Sequence, residues 1–336
     1  MVEPTTDAVT LDRGDGWRLG YRPGLDGLRG IAIAIVLLLH WWPSDFPGGA
    51  IGVDLFFVLS GFLITRLLIE EYTASGRLDF GHFYARRARR LFPALAALII
   101  VCITAPGVVW VVLYASNWGR IAGATLHGPL EHTWSLAIEE QFYLCWPLLF
   151  LVVMRLRRPI LLVSALILFV GLHRVGMHAD WTRLSNGTDV RADSLLVGCV
   201  AAFAIPVLSR ERWWGIASVA VAVPLSQSVL KEQVLTGWGY TILAVGWATV
   251  LVWAVSSTGW ITFGPLRTLG RLSYSVYLWH YPITFTLRGG NMHHTSAGTT
   301  ALAIVLTFAA SWASYRFIET PFRERARART PRSVRA

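Results

Sequence analysis

The sequence has 336 residues, 54% of them hydrophobic and 15% charged, with a mean hydropathy of +0.50. That is too apolar and too charge-poor for a soluble domain of this length, and apolar windows near the roughly 20 residues that cross a bilayer core recur along the whole chain. The net charge of +10 is carried by arginine, with Lys231 the sole lysine; in a polytopic helical membrane protein such an excess marks cytoplasmic loops and anionic lipid before nucleic acid, so no nucleic-acid partner is expected.

Taken in order, residues 1–24 form a polar cytoplasmic tail without a cleavable signal, residues 25–320 a transmembrane domain, and residues 321–336 a basic cytoplasmic tail. The first span runs from Leu25 to Trp42, and the SDFPGG turn returns the chain through a second, Ile51 to Ile69. A polar segment with Arg86, Arg87, Arg89 and Arg90 precedes a third span, Leu91 to Val112, in which Pro106 is a kink or an early stop. Spans four and five run from Thr133 to Met154 and from Pro159 to Leu172, and residues 173–193 form an outer polar loop. The remaining spans are Ser194 to Leu208, Trp213 to Val229, Trp238 to Ser256, Ser273 to Leu287 and Thr299 to Phe317. Ten spans with both termini inside place every arginine cluster, Arg155 to Arg158, Arg210 to Arg212 and Arg267 to Arg271 included, on the cytoplasmic side. The expected fold is therefore an all-α transmembrane bundle of about ten spans in the plasma membrane. The three cysteines lie in apolar windows, which argues against a disulfide framework.

Ionisable groups at bilayer depth cost several kcal/mol unless paired or wet, so each is a functional candidate. Arg29 and His40 lie eleven residues apart, about 1100° of rotation, and so share one face of the first span roughly 16 Å apart along its axis. His40 suits a general base, or a histidine hydrogen-bonded at the interface. Asp54 either orients that imidazole or caps the second span. Glu139 and Glu140 point about 100° apart, so at most one is expected to face the same cavity as His40; a capping box accounts for one of them but hardly for both. Arg191 and Asp193 form an ion pair or a cap-and-dipole arrangement. His280 interrupts a span with Tyr277 and Tyr274 one and two turns earlier, placed to bond a substrate oxygen or to anchor an aromatic belt. Glu319 is expected to pair with a basic loop. No metal-site spacing, phosphate loop or GxSxG elbow is present, so no metal is expected and an anionic cofactor must be held by arginines, the Arg86 to Arg90 cluster first.

The combination of R-x10-H in the first span with GVDLFFVLSGFLIT, FYARRARRLFPAL, HTWSLAIEEQFYLCWP, RADSLLVG, SYSVYLWHYPI and RFIETPF, in that order across residues 24–323, resembles the integral-membrane acyltransferase-3 family. The resemblance implies a ten-helix fold that uses acyl-CoA, most often acetyl-CoA, to acylate a hydroxyl of a carbohydrate, an envelope glycan or a glycosylated secondary metabolite. It implies that His40 is the essential histidine and Arg29 its paired arginine, that Glu139 is the family glutamate, and that Arg86, Arg89 and Arg90 form the basic motif. On this reading acyl-CoA phosphates sit on Arg29, Arg86, Arg89 and Arg90, and the pantetheine arm runs along the first span to His40. Glu139 orients or charges the imidazole, while Tyr277, His280 or Arg191 polarises the thioester carbonyl. The rival is a transporter or flippase of a sugar or anionic substrate with an intramembrane His/Glu proton relay; against it, the sequence has no paired halves and no matched broken helices.

Overall fold

Long apolar stretches have no water to bond their backbone groups in a bilayer, and a helix satisfies those groups internally. In the computed structural model, which describes residues 17–124, 128–208, 235–293 and 296–322, these stretches are helical and no strand occurs among the described residues. The helices are α1 (Pro23–Trp41), α2 (Ile51–Ser75), α3 (Phe80–Val101), α4 (Val108–Val112), α5 (Ser116–Ile121), α6 (Trp134–Arg155), α7 (Pro159–Gly176), α8 (Trp181–Asn186), α9 (Thr188–Leu208), α10 (Tyr240–Ser256), α11 (Gly264–Leu287) and α12 (Ala297–Ala313), the last continuing as a π-helical turn over Ser314–Glu319. Local chemistry sets several ends. Proline opens α1 and α7, the Asp79 carboxylate accepts the His82 N–H at 2.8 Å to cap α3, and Ser296 with Thr299 forms a capping box on α12.

Among the described residues, seven helical segments are long and apolar enough to cross a membrane: Pro23–Trp41, Pro47–Ser75, Glu131–Arg155, Pro159–Gly176, Trp181–Leu208, Gly237–Ser256 and Ala297–Phe322. Two further expected spans correspond to α3 and α11, whose first halves carry Arg86, Arg87, Arg89 and Arg90 and Arg267 and Arg271. The expected span from Trp213 to Val229, the arginines at 210 and 212, and residues 1–16 and 323–336 of the two tails lie outside the described residues.

Several boundaries differ from expectation, with α2 running on to Ser75 and α11 starting at Gly264. The arginine cluster is inside α3 rather than ahead of it, because the Asp79 cap starts the helix early and arginine is a good helix former; the chain then turns over residues 102–107, with Pro106 in the turn. The outer loop of residues 173–193 is mostly helical, divided between the end of α7, α8 and the start of α9. Residues 17–22, expected in the tail, pack on α2: the Arg66 guanidinium lies 4.6 Å from the centre of the Trp17 ring, and the Leu19 N–H donates to Glu70 at 2.6 Å.

Two parallel helix pairs organise the bundle. Helix α1 runs alongside α11, with Arg29 against Ser273, His40 against His280 and Trp41 against Thr284. Helix α2 runs alongside α9, with Asp54 against Arg191 and Arg66 against the Ala202 carbonyl. Close approach requires glycine at both seams, as packing between membrane helices favours. A Cβ at Gly270 would fall 1.7 Å from the Asp26 carbonyl oxygen, and one at Gly61 would fall 1.9 Å from that of Leu195. Gly61→Val is therefore expected to force α2 and α9 apart at a cost of about 1–3 kcal/mol. A lowered unfolding midpoint of the purified protein in detergent checks this; an unchanged midpoint contradicts it. At the end of α1, Arg288 donates to the carbonyls of His40 and Trp41 at 2.8 Å each, satisfying groups that the helix end leaves open and fixing the backbone that carries His40.

Candidate active site

A cavity is lined by residues of α1, α2, α3, α6 and α11. One part of its wall is cationic. Arg86, Arg87 and Arg90 of α3 contribute, since spacings of one and four residues keep them within about 100° of one another, and Arg29 of α1 joins them across the cavity. Arg29 donates to the Ser273 hydroxyl at 3.3 Å, Arg86 lies 3.7 Å from Glu71, and Arg87 is held by Glu140 at 3.0 Å with its guanidinium 3.4 Å from the centre of the Tyr143 ring. Arg89, expected in this set, is not among the lining residues. A second part of the wall is apolar, made by Phe56, Leu59, Leu63 and Leu67 of α2.

The cavity also meets polar groups. Glu139 accepts from the Ser60 and Tyr143 hydroxyls at 3.1 Å each. Tyr277 donates to the His132 carbonyl at 2.6 Å, so the 2.6 Å contact between its oxygen and Ser135 is a bond that Ser135 donates. The phenol proton is thus already engaged. Glu139 and Glu140 both line the cavity, one bonded to hydroxyls and the other to an arginine, where sequence spacing allowed one at most to face the cavity of His40. The hydrogen-bond partners of Glu139 are Ser60 and Tyr143, not His40.

His40 itself is not among the lining residues; it stands in a cluster of rings to which the cavity residue Tyr277 also belongs. Its ring centre is 4.9 Å from that of His280 and 5.1 Å from that of Tyr281, while the His132 ring stacks on Tyr281 at 5.0 Å. The Tyr277 ring closes the group at 5.5 Å from His280 and 5.4 Å from His132. The bonding pattern assigns the tautomers. His280 Nδ1 faces two carbonyl oxygens, Tyr277 at 2.7 Å and Val276 at 3.1 Å, so it carries the proton and Nε2 is left as an acceptor. His40 Nδ1 lies 2.9 Å from the Val36 carbonyl and 3.2 Å from that His280 Nε2, so it too is protonated, and His40 Nε2 keeps a lone pair with no hydrogen-bond partner among the described residues. Beyond Tyr281, whose hydroxyl donates to Glu131 at 2.9 Å, Glu131 pairs with Arg120 at 2.7 Å.

The other candidates lie elsewhere. Asp54 neither orients His40 nor caps α2 through its side chain: it is 2% exposed and bonded to Arg191 at 2.6 Å. Arg191 does not pair with Asp193, whose carboxylate is instead held by Arg174 at 2.8 Å and by the Thr241 hydroxyl at 2.5 Å. These two ion pairs join α2, α7, α9 and α10, with the Arg191 guanidinium 3.4 Å from the centre of the Tyr240 ring, and neither lines the cavity. The sequence spacing of Arg191 and Asp193 suggests a local pair, but residues two apart on a helix face different neighbours, and each finds its partner on another helix. Glu319 accepts from the Ser275 hydroxyl of α11.

Sequence reasoning passed over Arg87, Ser60, His132, Glu131 and Arg174. Arg87 was visible within the basic cluster, and its one-residue offset from Arg86 and three-residue offset from Arg90 was the available signal. His132 precedes a tryptophan at a helix start, where nothing in the sequence separates a capping loop from a ring packed against a histidine on α11.

Comparison with known proteins agrees with this architecture. A family profile described as "Acyltransferase domain" (Acyl_transf_3) matches residues 22–316. The chain belongs to this acyltransferase-3 family and is a multi-pass membrane protein. It is 33% identical over 351 residues to the O-acetyltransferase OatA of Staphylococcus aureus (strain NCTC 8325 / PS 47), a match that covers 91% of this chain and 58% of that protein. It is 33% identical over 348 residues to the peptidoglycan O-acetyltransferase OatA of Listeria monocytogenes, covering 90% and 56%. A putative O-acetyltransferase of Staphylococcus aureus strain MSSA476 is 30% identical over 352 residues, covering 91% and 58%. The chain therefore spans somewhat more than half the length of these relatives. No solved structure matches it.

Proposed function

We propose that the protein is a plasma-membrane O-acyltransferase that takes an acyl group, acetyl in the simplest case, from acyl-CoA and places it on a hydroxyl of a carbohydrate, with an envelope glycan such as peptidoglycan the first candidate. The observation that carries the reading is the pairing of a cationic cavity, bearing Arg29, Arg86, Arg87 and Arg90, with a histidine whose Nε2 is free, eleven residues from Arg29 along the same helix. Guanidinium groups hold phosphate through bidentate bonds, and the apolar wall beside them suits the chain that carries a thioester. The arginine end faces the cytoplasm on this reading, where acyl-CoA is found, and the His40 end faces outward. His40 Nε2 takes the acceptor proton as the oxygen attacks the thioester carbon. Glu139 is a cavity group that contacts the donor or holds Tyr143 and Ser60 against it, and Tyr277, which belongs to both the cavity lining and the histidine cluster, stands where donor and base meet. Asp54, Arg191, Asp193 and Arg174 hold the helices in place. A transporter is disfavoured by membership of an acyltransferase family.

The test is purified protein in detergent with labelled acetyl-CoA and glycan fragments, together with mass spectrometry of cell-wall and metabolite extracts from a deletion strain. The reading expects CoA release that depends on acceptor, and loss of an acyl mass from one extract; a protein that neither binds nor consumes acyl-CoA overturns it. Arg87→Ala and Arg90→Ala are each expected to raise KM for acyl-CoA about 5- to 50-fold with little change in kcat, since removal of a ground-state phosphate contact weakens binding of substrate and transition state alike. A fall in kcat at unchanged KM would place those arginines in the chemical step instead.

A further inference from the structure

We infer that His280 is the positioning residue for His40: it fixes the tautomer that leaves His40 Nε2 free as the base, a role that sequence reasoning gave to Glu139 or Asp54. The inference rests on the acyl-transfer reading above. Its geometric basis is a chain of bonds with one consistent proton assignment. His280 Nδ1–H is engaged by the Tyr277 and Val276 carbonyls of its own helix, which leaves Nε2 as an acceptor aimed at His40 Nδ1 at 3.2 Å. His40 Nδ1–H is then shared between that nitrogen and the Val36 carbonyl at 2.9 Å. Neither imidazole can move its Nδ1 proton or flip its ring without losing these bonds, and a flip is further blocked by the rings of Tyr281, Tyr277 and His132.

A carboxylate is the usual partner of a catalytic histidine, and both candidates are engaged elsewhere: Glu139 with Ser60 and Tyr143, Asp54 with Arg191. The other charged or titratable groups around His40 are His132 and Glu131 from the segment before α6, Arg120 of α5, and Tyr281 and Arg288 of α11; Glu131 is bonded to Tyr281 and Arg120, and Arg288 to backbone carbonyls. A neutral imidazole does the orienting work at this depth without the desolvation cost of an anion. In the transfer step the acceptor oxygen bonds to the acyl carbon and the carbon–sulfur bond of the thioester breaks. The acceptor proton moves to His40 Nε2 and from there to the departing thiolate, while Nδ1–H stays on the Val36 carbonyl and His280 Nε2.

The test compares three variants. His280→Leu removes the acceptor, His280→Gln restores a carbonyl oxygen near the Nε2 position, and His280→Asn, with a shorter side chain, cannot reach it. With labelled acetyl-CoA in detergent, Leu and Asn are expected to lower kcat about 10²- to 10³-fold with KM for acetyl-CoA within about twofold, and Gln to recover at least about tenfold of that loss. The Gln/Asn contrast holds even where the leucine variant folds poorly, because both amides are polar and of similar volume. Equal activity of Gln and Asn, or wild-type kcat in the leucine variant while His40→Ala is inactive, overturns the positioning role and leaves the acyl-transfer reading standing. Absence of transfer in the wild type overturns both.

Discussion

His40→Ala is expected to lower kcat for acyl transfer by about 10²- to 10⁴-fold, the range for a positioned general base, while acyl-CoA still binds with near-normal affinity. The separation follows from the geometry. The cationic cavity is lined by Arg29, Arg86, Arg87 and Arg90 and by Ser135 and Tyr277, and His40, with its free Nε2, is not among the lining residues. A residue outside the cationic cavity contributes little to ground-state affinity for a phosphorylated donor, so its loss is read in kcat rather than KM. Acetyl-CoA titration of the variant, with turnover measured on the same sample, provides both numbers. Wild-type turnover in His40→Ala would remove the histidine from the chemistry, and loss of acetyl-CoA binding would show that the cavity and the histidine form one binding surface.

The second large effect concerns stability. Asp54→Ala leaves the Arg191 guanidinium buried without its partner, and breaking a buried ion pair in this way costs about 3–5 kcal/mol. Asp54 and Arg191 are each 2% exposed, so water has little access to replace the lost bond. The double variant Asp54→Leu/Arg191→Met is expected to recover most of the loss, because removing both charges removes the desolvation penalty with the attraction. Unfolding midpoints in detergent for Asp54→Leu, Arg191→Met and the double variant make the comparison. A double variant no more stable than the singles would show that the pair does more than neutralise itself, for instance through the Tyr240 ring packed on Arg191. The Asp193–Arg174 pair, similarly buried, is expected to follow the same pattern.

Much of this protein was legible without coordinates. Apolar windows locate the helices but not all of their ends, because polar residues continue a helix that hydropathy does not mark: the Asp79 carboxylate starts α3 eleven residues early, α11 starts at Gly264, nine residues ahead of the expected span, and Asp180 caps α8 inside an expected loop. The motif order from GVDLFF to RFIETPF carries the family, which the match over residues 22–316 establishes. Periodicity puts Arg29 and His40 on one face of one helix because their relation is local.

Relations between helices are of another kind. That His40 meets His280 rather than Glu139, that Asp54 meets Arg191 while Asp193 meets Arg174, and that Arg87 enters the cavity while Arg89 does not are outcomes of how α1 lies on α11, α2 on α9 and α3 against α6. The sequence by itself determined which stretches are apolar helices and that Asp54, Arg191, Asp193 and His280 stand in or beside them, since hydropathy is a property of the segment. Only the tertiary structure decided their partners, because a buried charge or ring nitrogen is satisfied by whichever group the packing of glycine-lined helix seams brings within hydrogen-bonding distance, and that distance is not encoded in spacing along a single helix.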